Sequence, residues 1–364
     1  MSCDGDVVQL TRRLVRLPSD ETSTTVGDLI ESWLRAETDA SVRRDAHGNI
    51  FAWRNKGGDT IGLVGHHDVV PPAPNQVETD EDGTRRFIIE QEGNRLYGRG
   101  TADMKGSLAA AMIAFRDAQI NRSAVFVSFT GEEDGGLGAQ AAIDDGFVPE
   151  VAIVCEGSTN YAGVDQTDVV IAHKGRRAST IVAHGSAAHA SEPGSGVNAV
   201  YRGIDAIERL RSLDPPQTTV AGMELTGSVA VTKVTGGETW NVIPDRCVIT
   251  VDERTVPGGK MPLDRLNEAT GVTWAVDQDL PPMACENPRF ARIAHEAATT
   301  AQDGDTELVT KAAATDAGWL TQAGTDCLVI GASEPEEAHT PEESVSITAL
   351  HRCSTIYQSV LEAW

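Results

Sequence analysis

The chain has 364 residues, of which 40% are hydrophobic, so it can bury a large core, and its length favours two domains over one. Its formal net charge of -24 argues against duplex nucleic acid as a partner, because binding the phosphate backbone requires a basic surface. Only 6 of the 30 basic residues are lysine, and this arginine-biased acidity is typical of proteins from high-salt habitats, where ionic strength screens self-repulsion.

The first half of the chain predicts alternating helices and strands. Apolar residues at three- and four-residue intervals predict an opening pair of helices over 6–17 and 26–36. The spacing of Leu108, Met112 and Phe115 predicts a helix over 102–118. Short apolar runs that end in polar or glycine-rich residues predict buried strands: IGLVGHH, AVFVSFTGEE, VAIVCEGS and, much later, CLVIGAS. Strands that alternate with helices imply an α/β sheet.

The pattern changes after about residue 172. A strand, a helix, two half-buried strands and a second helix are predicted over 176–191, 196–213, 228–237, 246–258 and 261–270. Followed by a final strand, this order is that of a split ferredoxin-like α+β unit. We therefore expect a smaller domain at 173–284, inserted into a domain formed by 1–172 and 285–364.

The cysteines and the N-terminus indicate an intracellular setting. Six cysteines occur, at positions 3, 155, 247, 285, 327 and 353. They are far apart and include no C-x-x-C pair, which argues against a zinc knuckle or redox motif and favours reduced, cytoplasmic thiols. Residues 1–19 contain no uninterrupted apolar core for a signal peptide, and no stretch approaches the ~18 apolar residues of a membrane span. We expect a cytoplasmic protein without a membrane partner.

The stretch LVGHHDVVPP, residues 63–72, places two histidines and an aspartate at the end of an apolar run. Side chains at positions i and i+2 of a strand share a face, so His66 and Asp68 can act together while His67 faces elsewhere. A metal-ligating histidine usually has its second ring nitrogen oriented by a carboxylate. From this stretch alone, a buried histidine satisfied by a neighbouring carboxylate is an equal alternative.

Other polar side chains also follow apolar runs. Asp103 lies at a predicted helix start, where aspartate is more often an N-terminal cap than a ligand. Glu132 and Glu133 follow AVFVSF, and adjacent carboxylates repel each other unless a cation or a shared proton relieves them. Glu156 and His339 follow two further strands. Taken singly, each is more often a solvated loop side chain.

Taken together, these side chains are expected to converge, because ligands gather outside the carboxyl ends of strands in open α/β sheets. Imidazole and carboxylate ligands without a thiolate suit zinc, with cobalt or manganese as substitutes. The ligands suffice for two ions that share one carboxylate. Two metals about 3.5 to 4 Å apart polarise a carbonyl and make hydroxide available near neutral pH.

Five blocks in this order resemble those of one family: GHHDVVPP, GRGTADMKGS, TGEEDGG, CEGS and AHTPEES. It is the di-zinc amidohydrolase and exopeptidase family that contains succinyl-diaminopimelate desuccinylase, acetylornithine deacetylase, aminoacylase and bacterial glutamate carboxypeptidase. The resemblance covers nearly the whole chain. It implies a zinc-peptidase-like α/β sandwich catalytic domain with an inserted α+β ferredoxin-like lid and dimerisation domain, and hence a homodimer through the lid.

The resemblance also implies roles for individual residues. Two zinc ions, with Asp103 bridging them, would be held by His66, Asp103, Glu133, Glu156 and His339. Asp68 would orient His66. Glu132 would be the general base that takes a proton from the bridging water and delivers it to the leaving amine. Many members have Asp-Glu-Glu where this chain has Gly131-Glu132-Glu133.

The inserted domain matches the family in two further segments. In HGSAAHAS, His189 would reach the active site of the partner subunit and stabilise the developing oxyanion. In TWNVIPDRCVITVDERTVPG, Asn241 and Arg254 would hold a substrate carboxylate, which suits the planar fork of arginine. Without the resemblance, a surface histidine and a solvent-exposed arginine are fair alternatives. The remaining histidines are interpreted as structural or surface residues: His47, His173, His184, His295 and His351.

The leading hypothesis is a zinc-dependent amidohydrolase that cleaves an N-acyl amino acid or a short peptide. The first two blocks look most like the branch of desuccinylases and deacetylases of amino-acid biosynthesis. Aminoacylase and dipeptidase or carboxypeptidase activities stay open, because the ligands are shared and specificity depends on lid contacts. A non-catalytic binding protein would have lost a ligand or the base, and none is lost. The signatures H-E-x-x-H, G-x-S-x-G and G-x-x-x-x-G-K-[ST] do not occur.

Overall fold

A computed structural model describes residues 5–364 and divides them into two units. The first unit comprises Met1–Ala172, described from residue 5 onward, together with Met283–Lys311 and Thr315–Trp364. The second unit comprises His173–Pro282 and Ala312–Ala314. Cys3 lies outside the described residues, and the other cysteines are free thiols.

The helices and strands follow one another through both units. The helices are α1 (Asp6–Val15), α2 (Thr24–Glu37), α3 (Gly106–Asp117), α4 (Leu137–Asp144), α5 (Ala199–Arg211), α6 (Pro288–Thr300), α7 (Ala317–Gln322) and α8 (Ile347–Ala363). The strands are β1 (Ser41–Arg44), β2 (Ile50–Arg54), β3 (Thr60–His66), β4 (Val77–Thr79), β5 (Arg85–Phe87), β6 (Glu90–Glu92), β7 (Arg95–Tyr97), β8 (Ser123–Phe129), β9 (Val151–Val154), β10 (Val169–His173), β11 (Gly175–His184), β12 (Gln217–Val220), β13 (Met223–Thr226), β14 (Ser228–Gly236), β15 (Arg246–Thr255), β16 (Val272–Leu280), β17 (Met283–Ala284), β18 (Leu308–Lys311), β19 (Asp326–Val329) and β20 (Ser344–Ser346).

Several helices begin where a polar side chain caps the chain. The side chains of Asn198, Asn287 and Ser346 accept backbone N–H groups in the first turns of α5, α6 and α8. Such caps satisfy N–H groups that have no partner inside the helix. In the described residues, no helix is both long enough and apolar enough to cross a membrane.

The first unit is built on a nine-stranded mixed sheet. Its strand order is β1-β2-β8-β3-β9-β19-β10-β17, with β18 paired to β10. The central strands β8, β3, β9 and β19 run parallel, and they correspond to the four apolar runs predicted as buried strands. Their carboxyl ends therefore lie at one edge of the sheet, which is where loops carry functional side chains.

Helices cover both faces of this sheet. Val64 and Val127 belong to a buried cluster that includes Ala139 of α4 and Leu320 of α7. Gly65 points to the opposite face, where an added Cβ would lie 2.5 Å from Cε of Met104. A side chain at Gly65 would thus push away the segment that leads into α3.

The second unit is an antiparallel sheet with strand order β14-β15-β11-β16. Alternate residues of β11 and β15 are buried against α5, in a cluster that includes Ile181, Ile249 and Leu210. This is the predicted ferredoxin-like arrangement. The helix predicted over 261–270 forms only as a short 3₁₀ helix, Leu263–Glu268, because Pro262 precedes it and Gly271, with a φ of 72°, turns the chain into β16.

A small sheet brings the last part of the chain to the segment before α3. β7 pairs with β20 on one side and with β6 on the other. As a result, residues just before β20 lie next to residues just after β7. Hairpins β4–β5 and β12–β13 complete the strands, and neither was predicted from the sequence.

Candidate metal centre

The candidate centre lies at the carboxyl edge of the parallel strands in the first unit. β3 ends at His66, and the adjacent strands β8 and β9 end at Phe129 and Val154. The turn after β8 carries Glu132 and Glu133, and Glu156 follows β9 by two residues. Parallel pairing in this register therefore brings side chains from distant parts of the chain together.

His66 is buried among carboxylates. Its Nε2 lies 3.2 Å from Oδ1 of Asp103, 3.3 Å from Oε1 of Glu156 and 4.0 Å from Oε2 of Glu132. Its other ring nitrogen, Nδ1, lies 3.0 Å from the backbone oxygen of Asp68 and 3.5 Å from Oδ1 of the same residue. Asp68 thus fixes the ring from one side, and Nε2 is directed at the other carboxylates.

Asp68 also connects two of the strand ends. Its Oδ2 accepts the backbone N–H of Glu133 at 3.1 Å. One carboxyl group therefore contacts the ring of His66 and the turn that follows β8. The neighbouring His67 points elsewhere: its Nδ1 lies 2.7 Å from Oγ of Ser128, and burial lowers its pKa to about 3.

His339 lies on the opposite side of Asp103 from His66. Its Nε2 is 3.1 Å from Oδ2 of Asp103 and 3.0 Å from Oε1 of Glu133. The two oxygens of Asp103 therefore face two different histidines. His339 has a φ of 67°, a conformation that is uncommon for a residue other than glycine and that clusters at functional sites.

Asp103 does not cap a helix. Residues Thr101–Lys105 form a π-type turn in which Asp103 has non-helical dihedrals, with φ -127° and ψ 97°, and α3 begins only at Gly106. The alternative of an N-cap at Asp103 therefore does not apply, and α3 begins four residues after the predicted helix start at 102. The turn before the helix directs the carboxylate toward the two histidines.

The potential ligand atoms form two groups, each with all atoms within 4.8 Å of one another. One group consists of His66, Glu132 and Glu156, and the other consists of Asp103, Glu133 and His339. The donors are imidazole nitrogens and carboxylate oxygens, which suit zinc and other first-row divalent ions. Glu132, expected from the sequence to be a base, thus lies beside the ligand atoms of the first group.

The carboxylates of the site favour positive charge between them. Burial opposes protonation of His66, but hydrogen bonds to Asp103, Asp68 and Glu156 outweigh it and raise the pKa of His66 well above its ordinary value. Hydrogen bonds to Asp103 and Glu133 raise the pKa of His339 to about 10. The surrounding carboxylates favour the protonated, positively charged form of each histidine. Divalent ions would supply the same positive charge. The residues present therefore fit a pair of metal ions.

Glu132 sits in a tight, partly buried turn. Burial raises the pKa of Glu132 well above its ordinary value, since the charge of His66 only partly offsets the burial and the nearby acidic groups. The indole Nε1 of Trp319, in α7, donates to the backbone oxygen of Gly135 at 3.2 Å. Helix α7, which is far from this turn in the sequence, thus supports the turn that carries Glu132.

Three further charged residues close to the site were not singled out in the sequence. Lys311 donates to the backbone oxygen of Gly157 at 3.1 Å and lies 3.6 Å from Oε2 of Glu156, whose charge raises the pKa of Lys311 despite burial. Asp316 is buried with no hydrogen-bond partner for either oxygen, and burial raises its pKa to about 7. Glu343 is buried and accepts backbone N–H groups of the turn that carries Asp103.

The sequence carried a partial signal for only one of them. Glu343 falls inside the block AHTPEES, four residues after His339, and a second acid there could have been flagged. Asp316 follows a run of alanines in KAAATDAG and precedes a helix, where a cap is the ordinary reading. For Lys311, no local pattern distinguishes it from a surface lysine.

The predicted residues of the second unit are described within that unit. His189 is exposed, with Nδ1 2.7 Å from Oγ of Ser191, and its backbone forms a bridge to Val242, next to Asn241. Arg254 lies in β15, and its Nε is 2.8 Å from Oδ1 of Asp252. That ion pair uses one edge of the guanidinium.

Comparison with known proteins gives consistent results. A family model described as peptidase family M20/M25/M40 matches residues 62–363. An acetylornithine deacetylase of Myxococcus xanthus is 27% identical over 350 residues, covering 87% of this chain and 83% of its own. A succinyl-diaminopimelate desuccinylase of Acidiphilium cryptum is 28% identical over 394 residues, covering 99% and 98%.

Solved structures share the fold. Aminopeptidase PepT of Bacillus cereus superposes with a TM-score of 0.79 at 18% identity, covering 98% of this chain and 97% of its own. The Bacillus subtilis YXEP protein, described as a dinuclear metal binding peptidase from the M20 family, gives 0.68 at 16% identity, covering 98% and 96%. The predicted fold class is confirmed. Since the family model matches most of the chain, the chain belongs to peptidase family M20/M25/M40 and is a metal-dependent amidohydrolase that acts on linear amides.

Proposed function

We propose that the protein hydrolyses the amide bond of an N-acyl amino acid, as a desuccinylase or deacetylase of amino-acid biosynthesis. The observation that carries the proposal is the position of Asp103, whose two oxygens contact His66 of one ligand group and His339 of the other, within a chain similar to an acetylornithine deacetylase and a succinyl-diaminopimelate desuccinylase. Aminoacylase, dipeptidase and carboxypeptidase activities are the competing outcomes of the substrate test.

Five residues are proposed to hold two zinc ions: His66, Asp103, Glu133, Glu156 and His339. Support comes from the distances of 3.2 Å and 3.1 Å that place the two oxygens of Asp103 beside different histidines, as a shared ligand requires. Bound metal ions polarise an amide carbonyl and lower the pKa of water. Cobalt and manganese are alternatives with the same ligand preference.

Glu132 is proposed as the general base. Its carboxylate lies 4.0 Å from His66 and within the first ligand group, so it borders the place where the amide would react. It takes a proton from the water that attacks the carbonyl carbon and gives that proton to the nitrogen of the breaking C–N bond. The products are a carboxylate and an amine. Asp68 keeps Nδ1 of His66 engaged, so that Nε2 stays available.

Residues of the second unit are proposed to recognise the substrate. Arg254 and Asn241 would hold a substrate carboxylate. The pairing of Arg254 Nε with Asp252 leaves the outer edge of the guanidinium free to donate hydrogen bonds to two carboxylate oxygens. His189 would stabilise the oxyanion in a partner subunit, which requires a homodimer formed through the second unit as a lid and dimerisation domain. The free thiols support a cytoplasmic location.

The base is tested with Glu132→Gln in zinc-loaded protein. The amide keeps the shape of the side chain but cannot accept a proton, so we expect hydrolysis to fall by about 100- to 10,000-fold. Glu150→Gln, an exposed glutamate of the same unit, is the matched control and should keep full activity. Unchanged hydrolysis in Glu132→Gln would refute the assignment of the base.

The substrate class is tested with a panel of succinyl-diaminopimelate, acetylornithine, acetyl-lysine and simple dipeptides. The assays are run with zinc and with cobalt, at low salt and at high salt because of the net charge of -24. We expect turnover of the succinylated or acetylated amino acids. Turnover of dipeptides alone would reject the biosynthetic assignment. Binding of these compounds without turnover, with fewer than one metal ion per chain after loading, would indicate a non-catalytic binding protein.

A further inference from the structure

Glu343 lies directly before β20 and contacts the turn that carries Asp103. Its carboxylate is almost completely buried, with the residue 1% exposed. Oε1 accepts three backbone N–H groups: from Gly100 at 2.9 Å, from Ala102 at 3.0 Å and from Asp103 at 3.1 Å. Oε1 alone therefore accepts the backbone N–H groups of three residues in this turn.

The second oxygen of Glu343 has a charged partner. Oε2 accepts from Nη1 of Arg99, which is also buried. The backbone oxygen of Glu343 accepts the N–H of Gly98 at 2.9 Å. Every partner of the carboxylate is a donor, so both oxygens act as acceptors, whereas the NH₂ group of a glutamine would face either Arg99 or the backbone donors of the turn.

The turn needs such an acceptor because its backbone is irregular. Gly100 has a φ of 84°, and Asp103 has strand-like dihedrals inside a helical turn. Consecutive N–H groups in such a turn point to the same side and form an anion-binding concavity. Buried N–H groups without a partner are costly, so removal of the acceptor would favour another conformation of the turn.

The position of the Asp103 carboxylate follows from this turn. An aspartate side chain has only two rotatable bonds, so the backbone at Asp103 largely determines where its oxygens lie. With its own N–H and that of Ala102 held by Glu343, Asp103 keeps Oδ1 at 3.2 Å from His66 and Oδ2 at 3.1 Å from His339. The two histidines lie on separate segments, so neither can fix this orientation alone.

We propose that Glu343 is a positioning residue that holds Asp103 in the orientation in which its two oxygens can bind two different metal ions. The inference rests on the proposed function, because it takes Asp103 as the shared ligand. It assigns to Glu343 a role in the affinity and geometry of the metal pair, in addition to any contribution to the stability of the fold.

The test compares Glu343→Gln with Glu342→Gln in the full-length protein. Glu342 is the adjacent, exposed glutamate, so the control carries the same chemical change one residue away. Burial raises the pKa of Glu343 to about 7, so measurements are made at pH 8, where the carboxylate is ionised. Metal-free protein is titrated with Co²⁺, and binding is followed by calorimetry and by the visible absorption of the bound ion.

We expect Glu343→Gln to bind Co²⁺ about 10- to 100-fold more weakly than the wild type, the range measured when a partner of a metal ligand is removed. Its visible spectrum should change, because the ligand field changes when Asp103 moves. At saturating metal, kcat should fall while KM changes little. Glu342→Gln should match the wild type in all three measurements.

A purely structural role predicts a different result. In that case Glu343→Gln would melt at a lower temperature but keep the affinity, spectrum and kcat of the wild type, and the proposal would be overturned. If Glu343→Gln does not fold, Glu343→Asp and Arg99→Lys decide in its place: weaker Co²⁺ binding in both supports the proposal, and wild-type binding in either overturns it.

Failure of the proposed function gives a separate outcome. If the wild type binds fewer than two Co²⁺ ions per chain, the assignment of the two-metal centre is wrong, and if Glu132→Gln hydrolyses amides normally, the assignment of the base is wrong, whatever Glu343→Gln does. If the wild type binds two ions and Glu132→Gln is inactive, an unaffected Glu343→Gln refutes the positioning role alone.

Discussion

Asp103 and His339 are separated by more than 230 positions in the chain, yet Oδ2 of Asp103 lies 3.1 Å from Nε2 of His339. The other oxygen of Asp103 lies 3.2 Å from His66. One carboxylate therefore joins the two groups of potential ligands. This arrangement would make Asp103 the residue on which the proposed pairing of two ions depends.

We expect Asp103→Asn to lower the bound metal from the proposed two ions per chain to one or fewer. An asparagine offers one ligating oxygen, and its amide NH₂ is a donor that cannot bind a cation. Activity should fall by about 100-fold or more, as it does when reacting groups are misplaced by about 1 Å. Elemental analysis after gel filtration measures the metal content.

Asp134→Asn is the matched control, since Asp134 follows Glu133 directly and is exposed. It should retain both ions. Two tightly bound ions in Asp103→Asn would mean that the ligand groups hold their metals independently of each other.

Local patterns in the sequence predicted much of the fold and the polar residues at the strand ends. The strand alternation expected from the sequence separated His66 and Asp68 from His67; β3 ends at His66, and the structure places the ring of His67 against Ser128. Apolar periodicity identified the parallel strands. It misplaced the start of α3, because Asp103 in a glycine-rich turn resembles a helix cap until its distant partners are known.

The residues that support the site depend on contacts that local patterns do not contain. Glu343 meets Gly100 across 243 positions, and Trp319 meets Gly135 across 184. Periodicity and capping rules report on neighbours within about two helical turns. A long-range hydrogen bond between a side chain and a backbone group leaves no comparable signal in a single sequence. The unpaired Asp316 is equally invisible, because its burial follows from the packing of α7.

Trp319→Phe should lower kcat without changing metal affinity. The variant loses the hydrogen bond from Nε1 to Gly135 in the turn of Glu132, while the ring can still pack beside Gly136, where an added Cβ would lie 2.6 Å from the indole. The net value of one hydrogen bond is about 1 kcal/mol, which corresponds to a fall in kcat of about 5-fold if the turn loosens.

The control for this prediction is Trp240→Phe, the same change at a tryptophan that is 95% exposed. Steady-state kinetics and Co²⁺ titration of both variants are the measurements. Loss of metal in Trp319→Phe at unchanged kcat would show that the turn supports Glu133 and not Glu132.

Asp316→Asn should stabilise the metal-free protein increasingly as the pH rises from 5 to 8. Burial raises the pKa of Asp316 from 3.8 to about 7. The folded state therefore holds this proton more tightly than the unfolded chain, and the stability that the protonated group provides is lost as the pH rises through 7. The asparagine does not titrate. The stability difference between variant and wild type should grow by on the order of 3 kcal/mol over this range.

Urea unfolding at several pH values, after treatment with a chelator, measures the effect. Asp145→Asn, at an exposed aspartate in the same unit, should show no such trend. A constant difference between Asp316→Asn and the wild type at every pH would mean that the carboxyl group keeps its ordinary proton affinity in the fold.

Val234→Lys should convert the proposed homodimer into a monomer. The second unit exposes apolar side chains along α5 and the edge strand β14, among them Tyr201, Ile204 and Val234. An exposed edge strand with apolar residues is a ready surface for pairing, and a lysine there opposes it. Val276→Lys makes the same change on β16, the opposite edge strand, and should leave the dimer intact.

Light scattering coupled to gel filtration distinguishes the states, because the monomer mass is 38.6 kDa. If His189 acts in the partner subunit, activity per chain should fall with dilution and should be lower in Val234→Lys than in Val276→Lys at concentrations at which Val276→Lys is dimeric. A wild-type mass of 38.6 kDa with full activity would leave His189 without a partner site and would place oxyanion stabilisation entirely within one chain.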